Sequence, residues 1–365
     1  IEEQPVTAEQ EIGKSAVYSA QPTLRVDGAE APNARELLTA MEMHEQEGGL
    51  SRVELRLTNV LTKGDGSATL AFDNKTFDFG KSLIVYGGDE TGPMEIFRGL
   101  ITGIESVFPE HSAPEFVVLA EDELQRARFH RRTRYHEDGT LRNLASAMAE
   151  TAELNTGALP ESETGGQMQF NESDLAFLRR VMARHDVDAQ ASGGELQCAV
   201  RQDVRRADVS LKLHSQLRRA RVIADLAHQV TEVTVSGWDA AQGQKVKAQS
   251  KGERLGPGTG TPGGKIFKDA FGDRKEHLSH MAVATSAEAR AVAAAAFDQR
   301  ARGFVTLHGE AEGNPRIRVG THVAVEGLGK RFDNTYYVTQ ARHCYSLAAG
   351  YKTEFTAECA FLGTV

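Results

Sequence analysis

The sequence predicts a mixed, β-rich α+β chain in which two barrel-like β domains flank a helical α/β portion. Three observations lead there. Near the end of the chain, Tyr351, Thr353, Phe355, Ala357, Cys359 and Phe361 alternate with Lys352, Glu354, Thr356 and Glu358, the period of a strand with one wet face. Short β-branched or apolar runs recur at turn-punctuated intervals within residues 22–120 and again within 195–238, which suits a barrel or sandwich better than a parallel α/β sheet. Between those two regions, apolar residues fall at helical spacing, the pattern of amphipathic helices.

In chain order, residues 1–20 are polar and acidic without a usable period and are expected to form a tail or an arm that orders on a partner. A first β-barrel-like domain is expected over 21–130, with strands at 22–26, 50–58, 83–87, 95–106 and 116–120. A helical α/β portion follows over 131–190. Its first helix begins at Thr140 and carries Leu141, Leu144, Ala145, Met148 and Leu154, and a Gly-rich acidic loop at 160–167 then leads to a second helix. There Ser173 is a plausible N-cap for a stripe of Leu175, Leu178 and Met182, widened by Phe177 and Val181, before His185 and Asp186 end the helix. A second β-barrel-like domain is expected over 191–244, with strands at 195–200, 209–214, 221–225 and 230–238.

Residues 245–264 are rich in Lys, Gln, Gly and Pro and read as a long exposed loop, within a Gly/Pro-rich segment 245–284, that cannot bury enough apolar area to order itself. It is either a linker or an arm that orders on a neighbour. The last segment, 285–365, opens with a helix at 285–302 whose small-residue face permits close packing. It closes with a hairpin completing a barrel: residues 336–345 and 351–361 flank a turn. Pairing Tyr345 with Tyr351 sets Arg342 opposite Glu354 on the wet face and Ala341 opposite Phe355 on the packed face. Tyr337, Ala341, Tyr351, Phe355 and Phe361 are the expected core of this hairpin.

Composition narrows the function. A length of 365 residues gives room for two or three domains, and no apolar run approaches the roughly 20 residues that cross a bilayer. The acidic start lacks a secretion-signal pattern, so synthesis in the cytoplasm is expected. A net charge of -9 argues against wholesale nucleic-acid binding. Cys198, Cys344 and Cys359 lack metal-ligand spacing, and the hairpin register puts Cys344 and Cys359 on opposite faces, so no disulfide is expected.

The sharper motifs mostly have plain readings. The sole Trp of the chain, Trp238, beside Asp239, is either an interface anchor or a strand-end residue packed on its own domain. The basic run at 126–134, with Arg131, Arg132 and Arg134, could grip phosphates beside nearby aromatics. A solvated face, or pairing with acidic residues of a neighbouring subunit, is the favoured reading. His343 and Cys344 are adjacent on a strand and point to opposite faces, which excludes a thiolate–imidazole pair. His277 and His280 suggest a metal pair on a helix, but a third ligand is not evident. The Gly258, Thr259, Gly260 stretch lacks the Lys-Ser or Lys-Thr helix start of a phosphate loop. Glu121 and Asp122 are sequence neighbours without an aromatic pocket, poor candidates for glycan cleavage. No catalytic, metal or cofactor site is expected.

Taken together and in order, residues 96–104 (IFRGLITGI), 171–180 (NESDLAFLRR), 235–239 (VSGWD), 337–343 (YVTQARH) and 350–355 (GYKTEF) resemble the phage late control D and VgrG family, the trimeric hub proteins of contractile phage tails and contractile injection systems. The resemblance spans about residues 22–361. It implies a non-enzymatic baseplate hub, a homotrimer adapting a six-fold inner tube to a three-fold spike, among other baseplate subunits in a virion-like particle. The chain stops without a β-helix needle, so the resemblance implies a separate spike protein. No nucleic acid and no membrane insertion by this chain are implied. A tail-associated peptidoglycan hydrolase is the alternative, and a nucleic-acid-binding tail protein a third reading.

Overall fold

The computed structural model describes residues 21–88, 93–137, 139–160, 162, 164–279 and 283–364; the tail or arm expected at 1–20 lies outside the described residues. The fold is β-rich α+β, built on one 13-stranded sheet. The first β region comprises β1 (Thr23–Val26), the short helix α1 (Pro32–Leu37), β2 (Leu38–Gln46), β3 (Arg52–Thr58), β4 (Ser82–Gly87), β5 (Met94–Val107) and β6 (Glu115–Asp122). A 3-10 turn (Glu123–Arg128) leads into the helical portion. This contains β7 (Arg131–His136), α2 (Leu141–Ala152), β8 (Gln167–Ser173), α3 (Asp174–Ala183), β9 (Val187–Ser192) and β10 (Glu195–Val200). Next come β11 (Asp208–Lys212), β12 (Leu217–Ala224), β13 (Glu232–Asp239), β14 (Gln244–Ser250), α4 (Gly263–Phe271), β15 (Lys275–Leu278) and α5 (Ser286–Arg302). The chain closes with β16 (Val305–Glu312), β17 (His322–Glu326), β18 (Asn334–Ser346) and β19 (Gly350–Cys359).

The large sheet runs β12, β16, β19, β18, β2, β3, β6, β5, β4, β1, with a two-residue strand beyond β1; β17 also pairs β18 and carries β11. The hairpin β18–β19 has the register its sequence dictates, with Tyr345 opposite Tyr351, Arg342 opposite Glu354 and Ala341 opposite Phe355. One strand serves both β regions. The first half of β18 pairs β17 through residues 334–337, and its second half pairs β2 through residues 340–346, with an irregularity between Val338 and Gln340. Bulges of this kind turn a strand. Accordingly Tyr345 and Tyr351 pack with Leu38, Met41, Met43, Leu55 and Ile96 in the first core, whereas Tyr336, Val338, Ala341, Phe355 and Ala357 pack with Leu211, Leu307 and Val323 in another.

The helical portion is capped as its sequence suggests. Thr140 Oγ1 accepts from Asn143 N at 3.2 Å and Ser173 Oγ accepts from Ala176 N at 3.2 Å, each satisfying a first-turn amide. Helix α2 ends at Ala152 and is capped by Glu153, which is left-handed at φ 57, so Leu154 lies one residue past the cap and is buried from there. The basic run is an edge: β7 pairs β8 as a separate two-stranded ribbon.

The long loop expected at 245–264 is a correction. Residues 244–250 form β14, antiparallel to β13, with Val246, Ala248 and Ser250 buried, and α4 begins at Gly263. Only two apolar side chains face inward from β14, too few to mark a strand by composition. The segment orders by pairing with β13 and packing on α5, whose Val292, Ala293, Ala296 and Phe297 join Val233, Val235, Val246 and Ala248 in one core. The glycines of the stretch permit close approach: a Cβ on Gly258, at φ +101, would lie 2.6 Å from Cys359 Sγ, and one on Gly260, at φ +126, 2.2 Å from the Leu362 carbonyl.

Candidate functional site

The wet face of the shared hairpin carries a charge ladder. Arg342 meets Glu42 of β2 and, at 2.9 Å, Glu354 of β19. Lys352 reaches Glu354 at 2.6 Å and Glu310 of β16 at 3.5 Å, and Arg219 of β12 holds Glu310 at 3.0 Å. Glu310 and Glu354 are direct cross-strand partners, a like-charge pairing that is unfavourable alone and that Lys352, Arg342 and Arg219 offset. The Arg342 hydrogen bond, helped by His44 and opposed by partial burial, draws Glu42 down to about 2. A cleft of about 920 Å³ lies over this face, where Arg52, Arg128, Arg179, Arg219, Arg221 and Arg342 border Glu45, Glu121, Glu310 and Glu354. Such mixed charge suits a wet protein–protein contact or a solvent channel rather than a small apolar ligand.

Beneath the ladder, buried ion pairs tie the parts together. Glu45, fully buried near the end of β2, accepts from Arg318 Nε at 2.6 Å, Arg318 Nη2 at 2.9 Å, Arg206 Nη1 at 2.7 Å and the Val319 amide at 3.2 Å. Burial pushes its carboxyl up, but the two guanidinium charges and their hydrogen bonds outweigh that and hold it at about 2. Arg201 lies 4.3 Å from the Tyr337 ring centroid and binds Glu47 and, at 3.0 Å, Glu358. Sharing one cation, and crowded by Asp188, Glu47 is lifted by burial to about 7. Arg302 of α5 forks onto Asp186 at the end of α3, one contact being 2.7 Å. Arg184 meets Glu288 at 3.2 Å. These contacts staple the helical portion to both β regions.

The residues singled out by sequence are scattered. Trp238 is 60% exposed on the open face of the β14–β13–β15 sheet, opposite Lys245, and Asp239 accepts the amides of Ala241 and Gln242, closing the turn to β14. Arg131 donates to the Asn171 carbonyl at 3.0 Å, Arg132 lies 3.3 Å from Asp174, and Arg134 donates to His136 Nε2 at 3.1 Å. Tyr337, Ala341, Tyr351 and Phe355 are buried, and Phe361 is half-buried. His343 is buried with Nδ1 2.8 Å from Tyr351 Oη. Burial, with Arg318 nearby, presses its pKa down to about 3. Cys344 lies on the wet side, its thiol pushed by burial up to about 11, so it is a poor nucleophile.

His277 is a further correction: it lies in strand β15, not on a helix, with Nε2 2.8 Å from Ser236 Oγ, while His280 lies outside the described residues. Among the described residues there is no cluster of three metal-ligating side chains. Glu121 pairs with Arg128, whereas Asp122 turns inward, is lifted by burial to about 7, and accepts from Ser51 and Leu124 amides. The two carboxylates do not flank a common space. Sequence reading missed Glu45, Arg206, Arg318 and Arg201. Strand β2 held the signal: Met41, Met43 and Glu45 share one parity, so a carboxylate falls where a core residue belongs.

Residues 23–346 match the family model described as the Alg8 N-terminal domain. The chain belongs to this family. No curated protein matches it significantly. The fold of this chain is similar to that of solved phage tail proteins. The 43 kDa tail protein of prophage MuSo2 from Shewanella oneidensis superposes with a TM-score of 0.68 at 13% identity, covering 93% of this chain and 98% of that one. The tail protein from Neisseria meningitidis gives 0.64 at 12% identity, covering 93% and 96%. The E. coli c3393 protein, a type VI secretion component described as similar to T4 tail proteins gp27 and gp5, gives 0.57 at 13%, covering 92% and 76%. At such identities the likeness is one of fold. Among the described residues no helix is long and apolar enough to cross a membrane.

Proposed function

We propose that this chain is a structural hub of a contractile tail-like or injection particle, of the late control D and VgrG kind. In this reading it is a homotrimer that receives inner-tube proteins on one side, seats a spike protein on the other, contacts other baseplate subunits and catalyses no reaction. The single observation that carries the proposal is the sheet. One strand, β18, belongs to two β regions at once, and the likeness to phage tail proteins extends over the whole of this architecture rather than over one region. A body of two rigidly joined β regions is what an adaptor between unlike symmetries requires, since three such chains present six β regions around one axis. The first and second β regions of the sequence, 21–130 and 191–244 with 285–365, are proposed as the two repeated units, with the β9–β10 pair belonging to the helical portion instead. Charged contacts such as the wet-face ladder suit wet, specific subunit contacts.

Mass photometry of the purified chain, alone and with candidate tube and spike proteins, tests the proposal. A trimer that captures either partner is expected. A monomer that captures neither, or lysis of purified cell walls abolished by one carboxylate substitution, overturns it.

A further inference from the structure

The β7–β8 ribbon has an apolar outer face that is left exposed among the described residues. Tyr135 pairs directly with Met168 across it, and Phe129, Tyr135, Met168 and Phe170 are between 52% and 73% exposed, while Gln167 and Gln169 face inward. A two-stranded ribbon is marginal in water by itself, and contiguous exposed apolar surface marks a contact site. The face also carries a cation. Arg132 and Arg134 lie opposite Glu172 and the inward Gln169 and reach Asp174, and Arg126 and Arg128 pair with Glu153 and Glu121, whereas Arg131 shares the strand parity of Tyr135 and donates to a neutral acceptor, the Asn171 carbonyl.

The complementary surface exists elsewhere on the same chain. At the β5–β6 tip, Phe108 is 64% exposed, Glu105 and Glu110 are exposed beside it, and no Lys or Arg occurs between residues 99 and 125. Tip and ribbon cannot meet within one molecule. They lie at opposite ends of the eight-residue strand β6, about 27 Å long at ~3.4 Å per residue.

We infer that the acidic, Phe108-bearing tip of one copy seats on the basic aromatic face of the β7–β8 ribbon of a second copy. The contact is head-to-tail, and contacts of that type generate closed rings when the rotation permits. The inference rests on the homotrimeric reading above and names its interface. A stable interface buries roughly 1,600 Å² in total, more than one tip provides, so Phe108 and the ribbon aromatics act as the anchor within a wider contact.

The test uses the full chain. Arg131→Glu on the ribbon, or Glu105→Lys with Glu110→Lys on the tip, should each weaken self-association by about tenfold or more, as reversed charges across an interface do. Both reversals in one chain should restore most of it. As a second readout that survives any loss of stability in the reversed variants, Phe108→Cys combined with Phe170→Cys should give intersubunit disulfides on mild oxidation, seen as a ladder on non-reducing gels and missing from either single variant. Intact oligomers in every reversed variant with no ladder overturn this interface and leave the trimer standing. A wild type that stays monomeric at all concentrations overturns both. Reversed variants that self-associate normally but lose tube or spike binding give the ribbon to another protein and overturn the second copy as its occupant.

Discussion

Replacing Glu45 by Gln tests whether the buried tie between the β regions holds the fold together. The side chain is 3% exposed and its carboxylate receives three guanidinium hydrogen bonds and one from an amide. Its pKa falls from 4.5 to about 2. By linkage, at ~1.36 kcal/mol per tenfold change in acidity, that is worth on the order of 3 kcal/mol. Removing one partner of a buried ion pair independently costs about 3–5 kcal/mol, because the remaining charge is left uncompensated; here Arg318 and Arg206 are 14% and 23% exposed. Glu45→Gln keeps the volume and removes the charge, so a loss of about 3 kcal/mol is expected at pH 7, read as a lower urea midpoint with an unchanged slope. The sign with pH is fixed. A depressed carboxyl stabilises fully above its unfolded value of 4.5 and loses that contribution as pH falls towards 2, so variant and wild type should converge over that window. A difference below about 1 kcal/mol at pH 7, or one that fails to shrink on acidification, refutes the reasoning.

Glu47 should act in the opposite sense. Its pKa is lifted from 4.5 to about 7, so the folded state holds a proton that the unfolded state releases, and stability should fall as pH rises from 4.5 to 7. Glu47→Gln should flatten that slope in denaturation series at several pH values. Gly309→Ala should destabilise by about 1–3 kcal/mol through overpacking, since its Cβ would lie 2.4 Å from the buried Phe355 ring; a thermal melt indistinguishable from wild type would contradict this. Trp238→Ala should change stability by less than about 0.5 kcal/mol, as exposed substitutions do. If the residue anchors a partner, the same change should weaken capture of that partner by at least about 1 kcal/mol in titration calorimetry.

What could be read from sequence followed strand parity. The hairpin register, its packed and wet faces, and the opposed Cys344 and Cys359 come from an unbroken two-residue alternation, because slipping by one residue would bury Lys352 and expose Phe355. Helices α2, α3 and α5 were legible from caps and apolar stripes. Two kinds of feature were hidden. Strand β14 has only two apolar side chains, Val246 and Ala248, facing inward, and its order comes from β13 and α5. The Glu45 cluster assembles residues about 160 and 270 positions apart, and no local pattern encodes a pairing across such distances. The basic run at 126–134 was visible, but its form as an edge ribbon depends on β8, whose Gln167 and Gln169 are polar residues buried by hydrogen bonding rather than by apolarity.

The shared hairpin also sets how the molecule behaves as a unit. Domain boundaries fall where few contacts cross, yet here the pairing of β18 with β2 joins residues some 300 positions apart, and the two halves of one strand feed separate cores. Bending between the β regions would break backbone pairing on either side of the irregularity at Val338 and expose Glu45 to water with its two arginines. Both penalties oppose hinge motion. The two β faces are therefore held at a fixed angle by contacts between residues some 300 positions apart, which makes folding slow but, in the proposed hub, would give neighbouring subunits a rigid template. In an adaptor between a tube and a spike, that rigidity would set the spacing of the assembled ring, and a loosened Glu45 tie should disturb assembly before it abolishes folding.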